Sequence, residues 1–296
     1  MLVSVIIPTY NKVSRLKLTI CSLLRQENFN FEIVIVDDGS DYQTKKFLSE
    51  LQSSTKKVKI KVITQTNQGR SIARNIGVKN SEGDRLVFID DDIIVDSDFI
   101  EQHAKDNSII LHGKIITLSY LKFFQNPSTG EFYKGFSEKI SNSNSVLLSK
   151  CISETEIERN FEGKISCNDK ISNTEWLIQL IFERNIEVLK WIGVTGGNFS
   201  ISRKWFDEVG GFDSRFGKQW GYEDFELGYR LISRKLNIAY SNSAVGYHIA
   251  HYRENESIVN ENAKIFVERY NTDEKIKIII DFLGGYITRK EVEKLL

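Results

Sequence analysis

Three consecutive aspartates, Asp90, Asp91 and Asp92, follow the apolar residues Phe88 and Ile89. Adjacent carboxylates repel one another and raise each other's pKa unless a cation compensates. Carboxylate ligands suit Mg²⁺ or Mn²⁺, and these ions commonly bind substrate phosphates as well. The triplet therefore predicts a divalent metal site for a phosphorylated ligand, with a solvated acidic loop as the alternative.

A second acidic turn, Asp37-Asp38-Gly39-Ser40, also follows an apolar run. A carboxylate at the end of a strand can accept hydrogen bonds from a base N–H or a ribose hydroxyl, and Gly39 allows a tight turn. The alternative interpretation is an Asx-turn that caps a helix.

Two carboxylates, Glu223 and Asp224, stand shortly after Trp220 at the start of an amphipathic stretch. One of them could act as a general base whose pKa is set by partial burial beneath Trp220. The alternative is that both simply complement the positive end of a helix dipole.

Two of the four histidines, His248 and His251, lie three residues apart. A structural zinc site is disfavoured because no cysteine is nearby and a histidine pair would need further nitrogen or sulfur ligands. Taken alone, the pair is better explained as two surface histidines.

The elements that must position these residues alternate between short apolar runs and amphipathic segments, the pattern of βαβ units around a mostly parallel sheet. Since ligands of open α/β sheets bind at the carboxyl ends of the strands, the acidic motifs should share one crevice. Strands are predicted at Val3–Pro8, Glu32–Val36, Lys59–Thr64 and Arg85–Ile89. Helices are predicted at Ser14–Arg25, Gln43–Gln52 and Ser71–Asn80.

The rest of the chain is less regular. Residues 100–188 resemble a variable insertion, whose aromatic patch between Phe123 and Phe136 is either an acceptor platform or core. Three further helices are predicted at Ile258–Tyr270, Asp273–Leu283 and Thr288–Leu296 as a small appendage that packs, dimerises or docks on a membrane.

Composition narrows the classes of function. Lys plus Arg and Asp plus Glu both number 40, so the formal net charge is zero and nucleic-acid binding through bulk positive charge is disfavoured. Three scattered cysteines fit a reducing compartment, and no apolar run is long enough to span a membrane. The apolar start is interpreted as a strand, because it lacks the basic n-region of a signal peptide. A cytoplasmic protein is expected, with peripheral contact at the inner face of the membrane left open.

The ordered motifs resemble the family-two glycosyltransferases of the GT-A fold, which use nucleotide sugars and invert the anomeric centre. The matching segments are VSVIIPTYN, EIVIVDDGS, NQGRSIARNIG, LVFIDDD, VTGGNFSISRKWFDEVGGFD and GYEDFELGYRL. The resemblance implies an α/β fold with a Rossmann-like, mostly parallel sheet flanked by helices. A catalytic domain is expected over 1–254, with a nucleotide-binding half at 1–102 and an acceptor-binding half at 103–254, followed by the extension at 255–296.

The resemblance also implies roles for single residues. Asp224 falls where the family keeps its catalytic base, and Asp92 is the strongest metal ligand, holding Mn²⁺ or Mg²⁺. His248 resembles a third metal ligand, with His251 as a close rival. The residues assigned to the donor nucleotide are Pro8, Tyr10, Asp38, Arg70, Asn75, Asp90 and Asp91. Those assigned to the transferred sugar or the acceptor are Gly197, Asn198, Trp220 and Glu223.

The implied reaction moves a hexose or N-acetylhexosamine from a UDP-sugar to a hydroxyl of a saccharide, glycolipid or glycoprotein. The Trp-Gly-x-Glu-Asp segment occurs in retaining and galactosyltransferase-like enzymes too, so retention stays an alternative. The other alternative functions are a sugar-1-phosphate nucleotidyltransferase and a non-catalytic nucleotide-sugar-binding protein. The QxxRW signature of processive synthases is absent, which favours single transfers. A homodimer is neither indicated nor excluded.

Overall fold

The computed structural model describes residues 1–27, 30–54, 57–119, 152–160, 171–251, 261–270 and 274–296. Within them, one eight-stranded sheet has the order β3-β2-β1-β4-β7-β6-β8-β5. Its strands are β1 (Val3–Thr9), β2 (Phe31–Asp37), β3 (Lys59–Thr64), β4 (Arg85–Phe88), β5 (Ile93–Val95), β6 (Ile110–Ser119), β7 (Phe199–Ser202) and β8 (Ile238–Ala250).

Helices flank this sheet. Those of the first half are α1 (Val13–Leu24), α2 (Tyr42–Ser54), α3 (Arg70–Lys79) and α4 (Phe99–Lys105). Those that follow are α5 (Glu154–Asn160), α6 (Asn173–Glu183), α7 (Arg203–Glu208), α8 (Glu223–Ser233), α9 (Glu261–Tyr270), α10 (Glu274–Leu283) and α11 (Arg289–Leu295). Short 3₁₀ segments cover Glu187–Gly193 and Ser214–Phe216.

The first half of the fold is the predicted parallel unit. Strands β3, β2, β1 and β4 are parallel neighbours, and β1, β2 and β4 are buried throughout. Strands covered on both faces read as continuous apolar runs, which is why the sequence located them to within one or two residues. The carboxyl ends of β1, β2 and β4 therefore lie together and carry Tyr10, Asp38 and the aspartate triplet.

The second half of the sheet is mixed. Strand β7 is antiparallel to both β4 and β6, β5 is antiparallel to β8, and β6 is parallel to β8. The interpretation of residues 100–188 as a variable insertion was wrong for 110–119, because β6 is an interior strand of the sheet. Its pairing partners lie about ninety or more residues away in the chain, so local periodicity could not reveal it. The aromatic patch between Phe123 and Phe136 lies outside the described residues.

The three C-terminal helices pack on the rest of the fold, which is one of the three arrangements that the sequence left open. Phe266, Ile279 and Phe282 join Trp191 and Leu177 in one buried cluster. Helices α9 to α11 thus share the core of the second half, while the boundary at 255 stays a prediction. In the parts of the chain described, no helix has the length and apolar character needed to cross a membrane.

Candidate active site

The aspartate triplet occupies the turn between β4 and β5 at the carboxyl edge of the parallel strands. Thr9 Oγ1 donates to Asp91 Oδ2 over 2.7 Å. The Lys12 ammonium lies 3.8 Å from Asp91 Oδ1 and 3.7 Å from Asp92 Oδ2. Burial raises the pKa of Asp91, although Lys12 opposes this. The sequence missed Lys12, whose signal was its position just after the first strand.

Asp92 lies beside both histidines of the fourth motif. Strand β5 pairs with β8 in a register that sets Ile93 opposite His248, so the histidine side chains meet the preceding aspartate. Asp92 Oδ2 is 3.1 Å from His251 Nε2, and Oδ1 is 3.7 Å from His248 Nε2. One ligand atom from each of the three residues lies within 4.8 Å of the others. Buried Asp92 Oδ1 has no hydrogen-bond partner among the described residues.

A cavity of about 410 Å³ opens beside the triplet. The sequence-predicted donor residues that line it are Pro8, Tyr10, Asp38, Arg70, Asp90 and Asp91. Tyr10 leaves 46% of its surface exposed, a flat apolar face available to a ring. Lys12 and Lys218 add two cations to the wall that sequence analysis did not single out. The combination of aromatic, carboxylate and cationic groups suits a nucleoside diphosphate.

Asp38 fixes the far wall of this donor cavity. Its Oδ1 accepts hydrogen bonds from the Gln65 side chain (2.6 Å) and the Gln68 N–H (2.8 Å), and Oδ2 accepts from the Gly69 N–H (2.9 Å). A Cβ on Gly69 (φ +96°) would lie 2.0 Å from the Gly217 carbonyl oxygen. Only glycine therefore lets the loop before α3 approach the chain next to Lys218.

Two of the predicted contact residues position backbone instead of lining a cavity. Asn75 exchanges two hydrogen bonds with the Phe212 backbone, its Nδ2 donating over 2.8 Å and its Oδ1 accepting over 2.9 Å. Fully buried Asn198 donates to the Ala244 and Lys114 carbonyls and pairs its Oδ1 with His103 Nε2. Neither residue lines this cavity or the second cavity described next, so we assign both a positioning role.

A second cavity, of about 300 Å³, adjoins the first. Both cavities are lined by Arg70 and Asp90. The predicted sugar and acceptor residues that line the second one are Gly197, Trp220, Glu223 and Asp224, with His248 also present. Trp220 is 42% exposed, as a stacking surface requires. The structure thus gathers residues of the third and fourth motifs around a space that shares two lining residues with the first cavity.

Asp224 stands in the first turn of α8, following Tyr222 in a left-handed conformation (φ +71°). Its Oδ2 accepts a hydrogen bond from the Gly196 N–H and its Oδ1 from the Phe225 N–H, both at 2.9 Å. Burial and the neighbouring Glu223 charge raise the pKa of Asp224 to about 7, although Arg74 opposes the shift. A carboxylate with that pKa is well matched to accept a proton near neutral pH.

Arg74, which sequence analysis did not assign, lines the second cavity and joins Asp90, which lines both cavities, to Glu223. Its fully buried guanidinium donates from one nitrogen to Asp90 Oδ1 and from the other to Glu223 Oε1, each at 2.8 Å. The guanidinium also lies over the Phe212 ring at 5.2 Å. A Cβ on Gly196 would be 2.0 Å from Arg74 Nη2, so the glycine at 196 makes room for this bridge.

Comparisons with known proteins agree with this geometry. Residues 4–108 match the family model described as glycosyl transferase family 2, and residues 182–254 match one described as the N-terminal domain of galactosyltransferase. Residues 4–108 belong to a family-two glycosyltransferase domain. The two matched segments contain the aspartate triplet and Asp224 respectively, while β6, residues 173–181 of α6 and the C-terminal helices lie outside both.

Relatives of this domain include much longer proteins. The chain is 26% identical over 254 residues to a chondroitin synthase of Pasteurella multocida, covering 83% of this chain but 24% of that protein. It is also 26% identical to the uncharacterized glycosyltransferase YfnE of Bacillus subtilis, covering 96% of this chain and 74% of that protein.

Solved structures show that the fold is GT-A. Residues 1–349 of S. aureus TarS in complex with UDP-GlcNAc superpose with a TM-score of 0.52 at 20% identity, covering 86% of this chain and 60% of that one. The mannosyltransferase PcManGT of Pyrobaculum calidifontis, in complex with GDP-Man and Mn²⁺, gives a TM-score of 0.53 at 14% identity. This superposition covers 85% of this chain and 58% of PcManGT.

Proposed function

We propose that this family-two domain transfers a hexose or N-acetylhexosamine from a UDP-sugar to an acceptor hydroxyl, with inversion and with Asp224 as the general base. The observation that carries the proposal is the pair of adjoining cavities. One is lined by groups suited to a nucleoside diphosphate, the other by Asp224, and both include Asp90. A cytoplasmic location stays a prediction from cysteine usage.

The proposed reaction is a single displacement. The acceptor oxygen forms a bond to the anomeric carbon while the bond from that carbon to the diphosphate oxygen breaks, its electron pair leaving with UDP. Asp224 takes the acceptor proton, which raises the nucleophilicity of the oxygen as it attacks. Lys12, Arg70 and Lys218 line the donor cavity, where their positive charge stabilises the departing diphosphate.

A divalent metal fits Asp92, His248 and His251. The fit rests on the orphaned, buried Asp92 Oδ1 and on the convergence of one ligand atom from each residue. Two imidazoles beside one carboxylate suit Mn²⁺ better than Mg²⁺, which prefers oxygen ligands. When bound, such an ion neutralises negative charge on a diphosphate. The choice between His248 and His251 is no longer needed, since the proposed set includes both.

Replacing the metal ligand Asp92 should make the affinity for UDP independent of Mn²⁺. In wild-type protein we expect Mn²⁺ to tighten UDP binding, and Asp92→Asn to abolish that increment because the carboxylate is lost while its shape is kept. Isothermal titration of UDP with Mn²⁺, with Mg²⁺ and with EDTA measures it. Asp98→Asn, at the start of α4 and away from both cavities, is the matched control. Equal UDP affinity in Mn²⁺ and EDTA for the wild type would contradict the metal site.

Tyr10 should contribute to nucleotide affinity through ring stacking. Base stacking on an aromatic side chain contributes about 1–3 kcal/mol, so Tyr10→Ala should weaken UDP binding about fivefold or more. Tyr286→Ala is the control, because that ring is also well exposed but lines neither cavity. An unchanged Kd for UDP in Tyr10→Ala would remove Tyr10 from the proposed donor site.

A further inference from the structure

The loop of residues 217–222, which joins the second 3₁₀ segment to α8, contributes to both cavities. Lys218 lines the first cavity and Trp220 lines the second. Gly217 and Gly221 flank this pair, with positive φ angles of +48° and +89°. Glycine loses more conformational freedom on folding than any other residue. A loop bounded by two glycines therefore keeps one conformation only if other groups hold it.

The side chain of Asn262, near the start of α9, holds the 217–222 loop. Its Nδ2 donates to three backbone carbonyls, those of Phe216 (2.9 Å), Gln219 (3.0 Å) and Gly221 (2.9 Å). Carbonyl oxygens only accept hydrogen bonds, so the nitrogen of the amide must face them. Asn262 is 2% exposed, so the loss of this donor would leave carbonyls without a partner away from water. The three carbonyls lie before, between and after the two cavity-lining residues.

Helix α9 is a fixed support for this amide. At its other end Arg269 Nη1 donates to Asp213 Oδ2 over 2.9 Å and to Glu226 Oε1 over 2.8 Å. The Tyr270 hydroxyl also donates to Glu226 Oε1, over 2.9 Å. Glu226 on α8 and Phe266 in the middle of α9 are both fully buried. Helix α9 is therefore bonded to residues on both sides of the loop, and α8 is held in place independently of Asn262.

We propose that Asn262 is a positioning residue for sugar transfer, because the loop that it holds places Lys218 in the donor cavity and Trp220 in the acceptor cavity. This inference rests on the proposed transferase function and gives the C-terminal helices a part in it. Helix α9 begins beyond residue 254, where the second family-matched segment ends. The helices that sequence analysis treated as an appendage thus complete the substrate site.

Calorimetric titration of the full chain with UDP in the presence of Mn²⁺ gives the first test. Lys218→Ala should raise the Kd about tenfold, the contribution of a hydrogen bond from a charged group. Asn262→Leu removes the donor at similar volume and should raise the Kd about threefold, because binding must then order the loop. In the double variant the Kd should equal that of Lys218→Ala alone, since Asn262 acts through the loop that carries Lys218. A merely structural role would make the two effects multiply.

Fluorine NMR of protein labelled with 5-fluorotryptophan tests the loop without any ligand. The chain has four tryptophans, and the resonance of Trp220 is the one that disappears in Trp220→Phe. In Asn262→Leu this resonance should shift and narrow, because the loop is released into faster motion. The other three tryptophan resonances should stay in place, whereas a general loss of structure would move all four.

Two further variants control for folding and for the loss of an amide. Asn262→Gln keeps the donating amide one methylene further from the backbone, so it should lie between the wild type and Asn262→Leu in both measurements. It decides the question by itself if Asn262→Leu does not fold. Asn80→Leu removes an exposed amide that also donates to a backbone carbonyl, that of Ile76 at 2.8 Å. It should leave the Kd for UDP and the Trp220 resonance unchanged.

The outcomes separate the two proposals. Multiplying effects on the Kd, an unchanged Trp220 resonance, or equal shifts of all four tryptophan resonances would overturn the positioning role alone. Absence of UDP binding in the wild type would instead contradict the proposed transferase function, and the fluorine spectra would still show whether Asn262 holds the loop.

Discussion

Asp224→Asn is expected to lower transfer by about a hundredfold or more, since general base catalysis contributes about 10²–10⁴ in rate. The amide keeps the size of the carboxylate, and its oxygen can still accept the hydrogen bond from the Gly196 N–H, but it cannot take a proton from the acceptor. UDP binding should be nearly unchanged because Asp224 lines only the second cavity. UDP release in the presence of an acceptor measures the first effect and calorimetry the second.

The pH profile gives this prediction a second readout. Because the pKa of Asp224 is raised to about 7, the fraction of deprotonated base rises as pH increases through that value. The wild-type kcat/KM should therefore fall on the acidic side of about pH 7 and level off above it. The residual activity of Asp224→Asn should not show this fall at acidic pH.

A matched substitution and a stability measurement complete the test. Asp207→Asn, on the exposed surface of α7, should retain the wild-type rate of transfer and the fall in kcat/KM below about pH 7. At alkaline pH the Asp224→Asn protein should be no less stable to heat than the wild type, because a carboxylate whose folded pKa is raised opposes folding once it ionises. Wild-type turnover by Asp224→Asn would exclude it as the base.

Arg74→Met is expected to lower the free energy of unfolding by about 3–5 kcal/mol, because it breaks a buried ion pair. Removing the guanidinium leaves Asp90 and Glu223 without the cation that both share, and it leaves buried negative charge beside Asp224. Transfer should fall as well, since both carboxylates line the second cavity. Urea unfolding monitored by tryptophan fluorescence measures the free energy of unfolding.

Three comparisons separate loss of this bridge from a general effect of removing an arginine. Arg215→Met removes an exposed guanidinium from its ion pair with Asp213 and should lower stability by less than about 1 kcal/mol. Arg74→Lys keeps the charge but not the two-nitrogen fork, so it should recover only part of the loss. Glu223→Gln added to Arg74→Met should also recover part, because one unpaired charge is removed. Equal losses in Arg74→Met and Arg215→Met would refute the bridge.

The sequence predicted the parallel half of the fold and its acidic motifs because both are local signals. Continuous apolar runs marked β1, β2 and β4, and the carboxylates stood directly after them. It could not predict β6, whose pairing partners are distant in the chain. The role of Arg74 was hidden for the same reason, since Glu223 lies 149 residues away from it.

The sequence also could not predict the direction in which a side chain points. The motif around Asn198 was noticed for its glycines and its amide together, but the amide turns into the sheet toward His103 whereas Gly197 faces the cavity. Asn75 similarly uses both amide atoms on Phe212. The sequence analysis treated His251 only as a rival of His248, although positions three apart at the end of a strand can both reach one aspartate when the chain turns.

Asp90 is a single carboxylate on the boundary of two cavities, and that position has a thermodynamic consequence. A donor that changes the contacts or the solvation of this group also changes the surface that an acceptor meets, so the two binding free energies contain a shared coupling energy. Such coupling is reciprocal: the factor by which a given donor alters acceptor affinity must equal the factor by which that acceptor alters donor affinity. Donor preference and acceptor preference in this protein are therefore one linked property, and a substitution at Asp90 would change both together.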